Sequence, residues 1–549
     1  MAFAFSPSVN KIERDLNTSV PAVPTTITGI VGSFEWGPCN VIVDVDNDKE
    51  LVDLFGLPND TNFTHFFSAW NFLQYSQGLR VIRVLDDSTS KNAGLEISND
   101  ATGNGASEKS ALILNDGDAG MYTPSFSANA KLQIFAKYPG IKGNNIKVAI
   151  ANSNDFSSEV VSEGIAFSSL FEYVPTRNEI ALVVLFDDVI VEKYIVSLDA
   201  TDVDFEGNNI YAPEFINRRS NYILVYDKSI DTDTVDSISS TALLGGVLTE
   251  PTTGDVNNGY EIFDNQEEVT INIIIDGGNN SSTIHQYIID NLIESRKDCV
   301  AYLTCPRNDV VGVANISTAI TNLVTYRKTT LARSTSYAAL YGNWKYQYDQ
   351  YNDKYRWVPV SGDIAGITAQ THFNRDPWFA PMGYNRGLMK NVVKLAINPK
   401  RSHRDTLQRE FINPIVNDSN VGPVVLGQKT LISSPSSFSR LDVRWLFVTM
   451  ENGIAAAAKY FIGEKNTDFT QRQFKGIVEP YLRDIKGRDG IEDYYIQVDD
   501  VINTAEVKSR NEFKAAIYVK PTMTAEYIIL EFVNVKGSIS FEEVIKKSV

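Results

Sequence analysis

The chain has 549 residues, of which 43% are hydrophobic and 21% are charged, and its formal net charge at pH 7 is −18. This length is too great for one hydrophobic core and predicts several domains, while the composition excludes extensive disorder. No apolar run approaches the roughly 18 residues that a membrane-spanning helix needs, and the acidic charge disfavours direct binding to nucleic-acid phosphates.

The first pattern along the chain is that of a small α/β unit over residues 21–87. TTITGIVGSF, Thr25 to Phe34, is rich in β-branched residues and predicts a strand. KELVDLFG, Lys49 to Gly56, and THFFSAWNFLQYSQG, Thr64 to Gly78, have helical patterns that end at glycines. The run LRVIRVL then predicts a second strand.

Residues 88–265 differ in composition from the segments on either side. They begin with a polar linker and continue as short β-rich runs such as IKVAI, EIALVVLF and NYILVY. They carry about 26 acidic and 11 basic side chains, whereas residues 391–549 carry about 20 acidic and 22 basic ones. We therefore expect one or two acidic β domains inserted into another domain.

The α/β pattern resumes as a predicted βαβ unit at Thr270 to Pro306. Asp276, Gly277 and Gly278 follow its first strand, where a phosphate-binding loop would begin. Their spacing matches neither GxxxxGK[ST] nor GxGxxG, so an ordinary crossover turn is the preferred interpretation. An α/β enzyme that binds a ligand at this unit is the alternative.

SGDIAGITAQTHFNRDPWFAPMG, Ser361 to Gly383, is interpreted as an irregular segment because it mixes small polar residues with glycine. Ser361, Asp363 and His372 are the residue types of a hydrolase triad, but no GxSxG motif accompanies them, and a catalytic role is disfavoured. The aromatic run GNWKYQYDQYNDKYRWVP, Gly342 to Pro359, favours a packed hairpin or an interface over base stacking.

The C-terminal part predicts helices followed by strands. Ser439 to Gly463 is a long helix candidate with apolar residues every four positions, and FTQRQFKGIVEPYLRDIKGRDG predicts a second helix. The runs YYIQVDD, FKAAIYVKP and EYIILEFVNVKG predict strands.

The cysteines and histidines predict no special chemistry. The three cysteines form no CxxC pair and the four histidines form no HxH or HxxxH pair, so we expect buried thiols, no metal site and no cofactor. The N-terminus has its charges after a very short apolar stretch, unlike a secretory signal, and we expect the protein to be made in the cytoplasm and to stay there.

Five stretches, in this order, resemble the contractile tail sheath proteins of bacteriophages and related injection machines. They are SPSVNKIERDLNTSVPAVPTTITGIVGSFEWGP with ELVDLFG and RVIRV, FAKYPGIKGNNIKVAI, RKDCVAYLTCP, WVPVSGDIAGITAQTHFNRDPWFAPMGYNRG, and GQKTL with LDVRWL and VKPTMTAEYIILEFV. The family pattern VPxSGxxAGxxAxxD often has aspartate where this chain reads His372 or Asn374. The resemblance implies a packed structural role for this segment.

The resemblance also implies a multidomain fold of the α+β or α/β class. The implied domains are an extended N-terminal arm (1–20), a central α/β domain (21–87 plus 266–390), an inserted acidic outer β domain or domains (88–265), and a C-terminal inner α/β domain facing the tail tube (391–549), which ends in a second arm (about 536–549).

In function, the resemblance implies a phage tail sheath subunit without enzymatic activity. Each arm would donate a strand to a sheet in a neighbouring subunit. The residues expected in strand exchange are Phe3, Phe5, Val9, Ile12, Tyr527, Ile529, Val533, Val535, Ile539 and Phe541. The basic residues expected to face the tube are Arg440, Arg444, Lys459 and Arg472.

The partners implied are further copies of the chain, a tail tube protein, and baseplate and tail terminator proteins, in a virion assembled in the host cytoplasm. A pyocin-like or other phage-derived contractile particle is an alternative of the same class. A secretion-system sheath is disfavoured, because those sheaths resemble a body divided between two polypeptides.

Overall fold

The computed structural model describes residues 20, 23–98, 105–162, 164–176, 178–204, 206–228 and 235–526. The chain divides into two compact units, Met1–Ile462 and Gly463–Val549. Its mixture of helices and sheets in more than one unit agrees with the predicted α+β multidomain class. Among the described residues, no helix is both long and apolar enough to cross a membrane.

The first unit starts with an α/β segment and continues into a β-rich segment. The α/β segment contains β1 (Thr28–Gly32), β2 (Ile42–Val45), α1 (Asp48–Phe55), α2 (Phe63–Leu73) and β3 (Leu79–Arg83). The β-rich segment contains β4 (Gly94–Ser98), β5 (Ala106–Glu108), α3 (Asp116–Met121), β6 (Ala130–Ala136), β7 (Ile146–Asn152), β8 (Val160–Ser162), β9 (Ile165–Ala166), α4 (Phe167–Leu170), β10 (Glu179–Phe186), β11 (Val189–Ser197), α5 (Ala212–Arg219), β12 (Ile223–Asp227) and β13 (Ile238–Ala242).

The remainder of the first unit returns to alternating helices and strands. It contains α6 (Thr253–Glu261), β14 (Ile273–Ile275), α7 (Ser282–Tyr287), a π-helical stretch (Ile288–Ile293), α8 (Glu294–Arg296), β15 (Val300–Thr304), α9 (Arg307–Val310), α10 (Ile316–Thr325), a second π-helical stretch (Tyr326–Leu331), β16 (Ala338–Tyr341), β17 (Trp344–Asp349), β18 (Lys354–Pro359), α11 (Ser361–Asn374), β19 (Lys394–Leu395), α12 (Arg401–Arg409), β20 (Ile412–Asn413), β21 (Ile415–Asp418), β22 (Gly422–Val425) and α13 (Leu441–Ala458).

A central sheet with strand order β2-β3-β1-β14-β15-β16-β20 organises the first unit. β2 pairs antiparallel with β3, and the other neighbours are parallel. The β14-α7-β15 unit forms the crossover that the sequence predicts, with Ile273 opposite Val300. The sequence predicts that the central domain ends at residue 390. Because β20 belongs to this sheet, the sheet extends beyond that position.

Both faces of the central sheet are covered, which explains why its strands are almost continuously apolar. On one face, Ile30 and Ile273 pack in a core with residues of α2, α11 and α13. On the other face, Val31 and Ile274 pack in a second core with residues of α6, α7 and α10. The buried polar groups described below lie between these layers.

The β-rich segment lies between β3 and α6 in sequence and forms its own core. Two antiparallel sheets, β11-β10-β7-β13 and β12-β6-β4-β5, contribute residues such as Leu95, Ile134, Ile150 and Leu182 to one apolar cluster. The segment between β3 and α6 is therefore rich in strands.

The second unit is small. It contains α14 (Asp468–Gly487), β23 (Ile491–Gln497), α15 (Ala505–Ser509) and β24 (Ala516–Pro521), and β23 pairs antiparallel with β24. The side chain of Thr467 accepts a hydrogen bond from the Thr470 backbone and caps the start of α14.

One prediction about local structure is wrong. Residues 361–383 were expected to be irregular, but Ser361–Asn374 is the helix α11, and most of its residues are buried. A helix buried on nearly all sides has no polar face, so it lacks the amphipathic period from which helices are recognised in a sequence.

Candidate functional site

A buried polar network lies at the carboxyl end of β14, at the edge of the sheet where α/β proteins commonly bind ligands. Ser361 Oγ donates to Asp276 Oδ1 at 2.6 Å, and the Thr304 backbone N–H donates to Asp276 Oδ2 at 2.6 Å. His285 Nε2 is 3.2 Å from the same Oδ2. All four side chains are inaccessible to solvent.

This arrangement does not have the geometry of a catalytic triad. In a triad the histidine lies between the nucleophile and the acid. Here Asp276 lies between Ser361 and His285, and the other ring nitrogen of His285 is 2.6 Å from the Tyr326 hydroxyl. The network joins β14, β15, α7 and α11 through fully buried hydrogen bonds. These hydrogen bonds stabilise the fold.

The glycines after Asp276 serve packing rather than phosphate binding. Gly277 and Gly278 have φ angles of 59° and 90°, in the region that favours glycine. A Cβ on Gly277 would lie 2.7 Å from Ile30 Cγ1, and one on Gly278 would lie 2.8 Å from Thr64 Cβ. The preferred interpretation of an ordinary crossover turn fits this geometry.

The three residues with the chemistry of a triad in α11 contact different partners. Ser361 contacts Asp276, whereas His372 Nδ1 is 3.1 Å from the Thr25 carbonyl oxygen and its ring packs edge-on against Trp445 at 4.6 Å. Burial lowers the pKa of His372 to about 4. These contacts fix α11 to the residues that precede β1 and to α13.

Asp363, the third of these residues, forms a fully buried ion pair. Lys345 Nζ on β17 donates to Asp363 Oδ1 at 2.9 Å and to Asn71 Oδ1 at 2.9 Å. The Tyr75 hydroxyl donates to Asp363 Oδ1 at 3.0 Å. Burial raises the pKa of Asp363 and lowers that of Lys345. The pair links α11, β17 and the end of α2, which supports the packed structural role implied for this segment.

The aromatic run at 342–359 forms the β17–β18 hairpin, as the preferred interpretation expects. Tyr346 stacks on Tyr355 at 5.5 Å and contacts Trp357 at 4.9 Å. Lys394 Nζ lies 4.7 Å from the centre of the Tyr346 ring. Tyr355 and Tyr348 remain about half exposed, so part of this aromatic face is open.

Sequence reasoning missed the role of Arg83, which joins the central sheet to the β-rich insertion. Its guanidinium donates to the carbonyl oxygens of Phe34, Gly37 and Pro139 at 2.9, 2.7 and 2.8 Å. Arg83 is completely buried, and the only available signal was a pair of arginines, Arg80 and Arg83, in an otherwise apolar strand, with nothing in the sequence to show which one is buried. It fixes the residues after β6 against the WGP turn.

The predicted tube-facing residues differ in exposure. Lys459 and Arg472 are exposed, and Arg440 is partly buried at the start of α13. Arg444 is only 5% exposed, and its guanidinium carbon lies 4.2 Å from the Tyr337 ring centre and 4.0 Å from that of Phe438. Because Arg444 is buried against two rings of its own subunit, it is not proposed below as a contact with the tube.

The predicted strand-exchange residues all lie outside the described residues. The described part of the second unit nevertheless contains the sheet to which such strands could be added. Among the described residues, β23 and β24 each pair only with one another, and Tyr495 and Tyr518 are 59% and 57% exposed. A two-stranded sheet of this kind has free backbone groups along both outer edges.

Comparison with known families accounts for most of the chain. The N-terminal region of tail sheath protein Gp18 domain III matches residues 25–84, the phage tail sheath protein central domain matches 250–431, and the phage tail sheath C-terminal domain matches 433–534. The chain belongs to the phage tail sheath family. The β-rich insertion lies between the first and second matches.

Full-length relatives agree with this family. The tail sheath protein of Vibrio phage KVP40 is 29% identical over 671 aligned residues, which cover 98% of this chain and 99% of the relative. That of Enterobacteria phage T4 is 29% identical over 655 residues, with 98% of each chain covered. The chain is accordingly a structural sheath protein of a contractile phage tail.

Solved structures show the same fold at low sequence identity. The sheath tail protein of Listeria innocua has a TM-score of 0.53 and 11% identity, with 93% of this chain and 98% of that chain covered. The helical sheath of the anti-feeding prophage in its contracted state has a TM-score of 0.52 and 12% identity, with 97% and 100% covered.

Proposed function

We propose that the protein polymerises as a helical tube around a phage tail tube and contracts to drive that tube through the host envelope. The observation that carries this proposal is the ordered match to three tail sheath domains within full-length relatives named as tail sheath proteins. Its further partners are baseplate and tail terminator proteins. The particle is a virion assembled in the bacterial cytoplasm.

Strand exchange is the proposed linkage between subunits. A sheath must keep its subunits connected while they rotate, and a strand donated into a neighbour's sheet moves with that neighbour. The outer edges of β23 and β24, which pair with no other strand of the described residues, are the proposed acceptor sites. The proposed donors are the arm residues around Phe3 and Phe5 at the N-terminus and around Ile539 and Phe541 at the C-terminus.

The distribution of charge supports a radial arrangement. The insertion at 88–265 carries most of the net negative charge, and in this proposal it faces solvent and keeps particles soluble. The nearly neutral segment 391–549 faces the tube, where the exposed Lys459 and Arg472 and the partly buried Arg440 make contact.

Contraction in this proposal uses no nucleotide. The energy is stored in a metastable extended lattice, whose subunits form more contacts after they rotate and pack. The Asp276 turn, where an enzyme of this class would hold a phosphate, has its carboxylate occupied by Ser361 and Thr304.

A phage tail is favoured over another injection particle. The relatives that match over the full length at 28–29% identity are phage tail sheath proteins. The anti-feeding prophage sheath is only 12% identical to this chain, so its similarity is evidence of a shared fold alone.

Electron microscopy of the purified chain and of a variant lacking residues 1–20 tests the proposal. The full chain is expected to form hollow tubes of uniform width, and the truncated chain is expected to give separate rings or small oligomers that retain the folded circular dichroism spectrum. Continuous tubes from the truncated chain would contradict strand exchange by the N-terminal arm.

A further inference from the structure

A cavity of about 470 Å³ opens beside the C-terminal end of α11. Three cationic side chains, Arg375, Arg386 and Lys390, line it together with the amides of Asn374 and Asn385. No aspartate or glutamate is among its lining residues. All the charged residues that line the cavity are therefore cationic, although the chain as a whole has a net charge of −18.

The cations of this cavity have no carboxylate partner among the described residues. Arg386 Nε donates to the Ala380 carbonyl oxygen at 2.9 Å, and Lys390 Nζ donates to the Gln74 carbonyl oxygen at 2.6 Å. Burial and the nearby positive charge of Arg375 both lower the pKa of Arg386. Like charges held close together without an anion destabilise one another, so this cluster fits an anionic ligand.

The cavity is formed by a segment that the rest of the first unit holds in place. The backbone N–H of Gly383 donates to the Val425 carbonyl oxygen at 2.9 Å, and Val425 N–H donates to the Gly387 carbonyl oxygen at 2.8 Å. Met389 N–H donates to the Pro423 carbonyl oxygen at 3.0 Å, and its side chain is buried in the core. The backbone that carries Arg386 and Lys390 is therefore positioned before any ligand binds, which reduces the entropic cost of binding.

Exposed apolar side chains accompany the cavity. Phe373, which immediately precedes two of its lining residues, is 85% exposed, and Leu388, which lines it, is 40% exposed. Free inorganic anions gain nothing from neighbouring apolar surface, whereas protein interfaces commonly combine an aromatic side chain with arginine.

We propose that this cavity receives carboxylate side chains from a second copy of the chain, with Phe373 packing against the same neighbour. The proposal rests on the proposed function, since a sheath places many copies in contact. Charge complementarity supports this occupant: every copy is strongly acidic, and its residues 88–265 alone carry about 15 more acidic than basic side chains. Each ion pair formed at the cavity would offset repulsion between acidic subunits.

Assembly of a double charge-reversal variant, Arg375→Glu with Arg386→Glu, tests this inference. The concentration needed for tube formation, measured by sedimentation, is expected to rise at least tenfold at low salt. For the neutral variant Arg375→Gln with Arg386→Gln, the concentration needed for tube formation is expected to lie between those of the charge-reversal variant and the wild type. Its assembly should also depend much less on the concentration of NaCl. Because both double variants lose the hydrogen bond from Arg386 to the Ala380 carbonyl oxygen, their monomers should melt at similar temperatures slightly below that of the wild type, and assembly is compared well below these temperatures.

Lys400→Glu with Arg401→Glu is the matched control, because it reverses two exposed charges elsewhere on the first unit. Equal losses of assembly in both double variants, or no loss in either, would overturn the specific role of the cavity while leaving the proposed function intact. If the wild-type chain itself forms no tubes, the proposed function fails, and this inference fails with it.

Discussion

Lys345 Nζ lies 2.9 Å from Asp363 Oδ1, and neither side chain is exposed to solvent. Removal of one partner leaves a buried group without compensation, which typically costs about 3–5 kcal/mol. We therefore expect Lys345→Met and Asp363→Asn each to lower the free energy of unfolding strongly, as measured by chemical denaturation of the monomer. The double variant Lys345→Met with Asp363→Leu should lose less free energy of unfolding than the sum of the losses in the two single variants.

An exposed ion pair provides the comparison for this prediction. Lys486 Nζ lies 2.9 Å from Asp493 Oδ1, and both side chains are well exposed. Lys486→Met is expected to leave the stability of the second unit nearly unchanged. If Lys345→Met were equally harmless, the buried pair would not hold α11, β17 and α2 together.

Arg83→Lys should destabilise the junction with the insertion although it preserves the charge. Lysine cannot reproduce the planar fork that donates to Phe34, Gly37 and Pro139, and carbonyl oxygens would be left buried without donors. We expect a loss of about 2–4 kcal/mol in unfolding free energy. Arg80→Lys, on the same strand and paired with the exposed Asp44, is the control and should cost far less. Equal effects of the two substitutions would contradict the role assigned to Arg83.

Two helical glycines should respond to alanine in opposite directions. A Cβ on Gly362 in α11 would lie 2.1 Å from the Ser68 carbonyl oxygen, so Gly362→Ala should cost about 1–3 kcal/mol through overpacking. A Cβ on Gly476 in α14 would meet nothing within 4 Å, so Gly476→Ala should stabilise the second unit by about 0.5–1 kcal/mol. Thermal unfolding followed by circular dichroism measures both effects, and a stabilised Gly362→Ala variant would show that α11 does not pack closely on α2.

Stability should fall as the pH decreases from about 6.5 to about 4 because of His372. Its pKa is lowered from 6.5 to about 4 by burial, so between these values the unfolded chain binds a proton that the folded chain does not. The stabilisation is therefore complete above pH 6.5 and is lost as the pH falls toward 4, with a maximum near 3 kcal/mol.

The variant His372→Phe isolates this contribution, because a phenyl ring keeps the edge-on contact with Trp445 but cannot titrate. Its unfolding free energy should depend less on pH over this window than that of the wild type. Desolvation also lowers the pKa of the partly buried His65, so part of the slope should remain. Identical slopes for the variant and the wild type would show that His372 is not held neutral.

Local signals in the sequence were sufficient for many elements. The side chain of Asn47 accepts a hydrogen bond from the Glu50 backbone at the start of α1, and Gly56 ends that helix with a φ of 79°. Capping residues and glycines of this kind are visible in a sequence. The β14-α7-β15 unit was predictable for the same reason, since its apolar runs and turn residues lie close together along the chain.

Contacts between distant segments were not predictable from one sequence. Ser361 contacts Asp276 across 85 positions, and Arg83 contacts the Pro139 carbonyl oxygen across 56. Composition showed only that small polar residues cluster near Ser361, which describes catalytic loops and packed helices equally well. The burial of Arg444 between two rings likewise depends on Tyr337, which lies on a separate segment.

A helical reconstruction of assembled tubes by cryo-electron microscopy tests the central claim most directly. Strand exchange predicts that β23 and β24 lie within a larger sheet, with added strands contributed by the terminal arms of neighbouring subunits. The account would be contradicted if β23 and β24 remained an isolated pair in the assembled tube and each arm folded back on its own subunit.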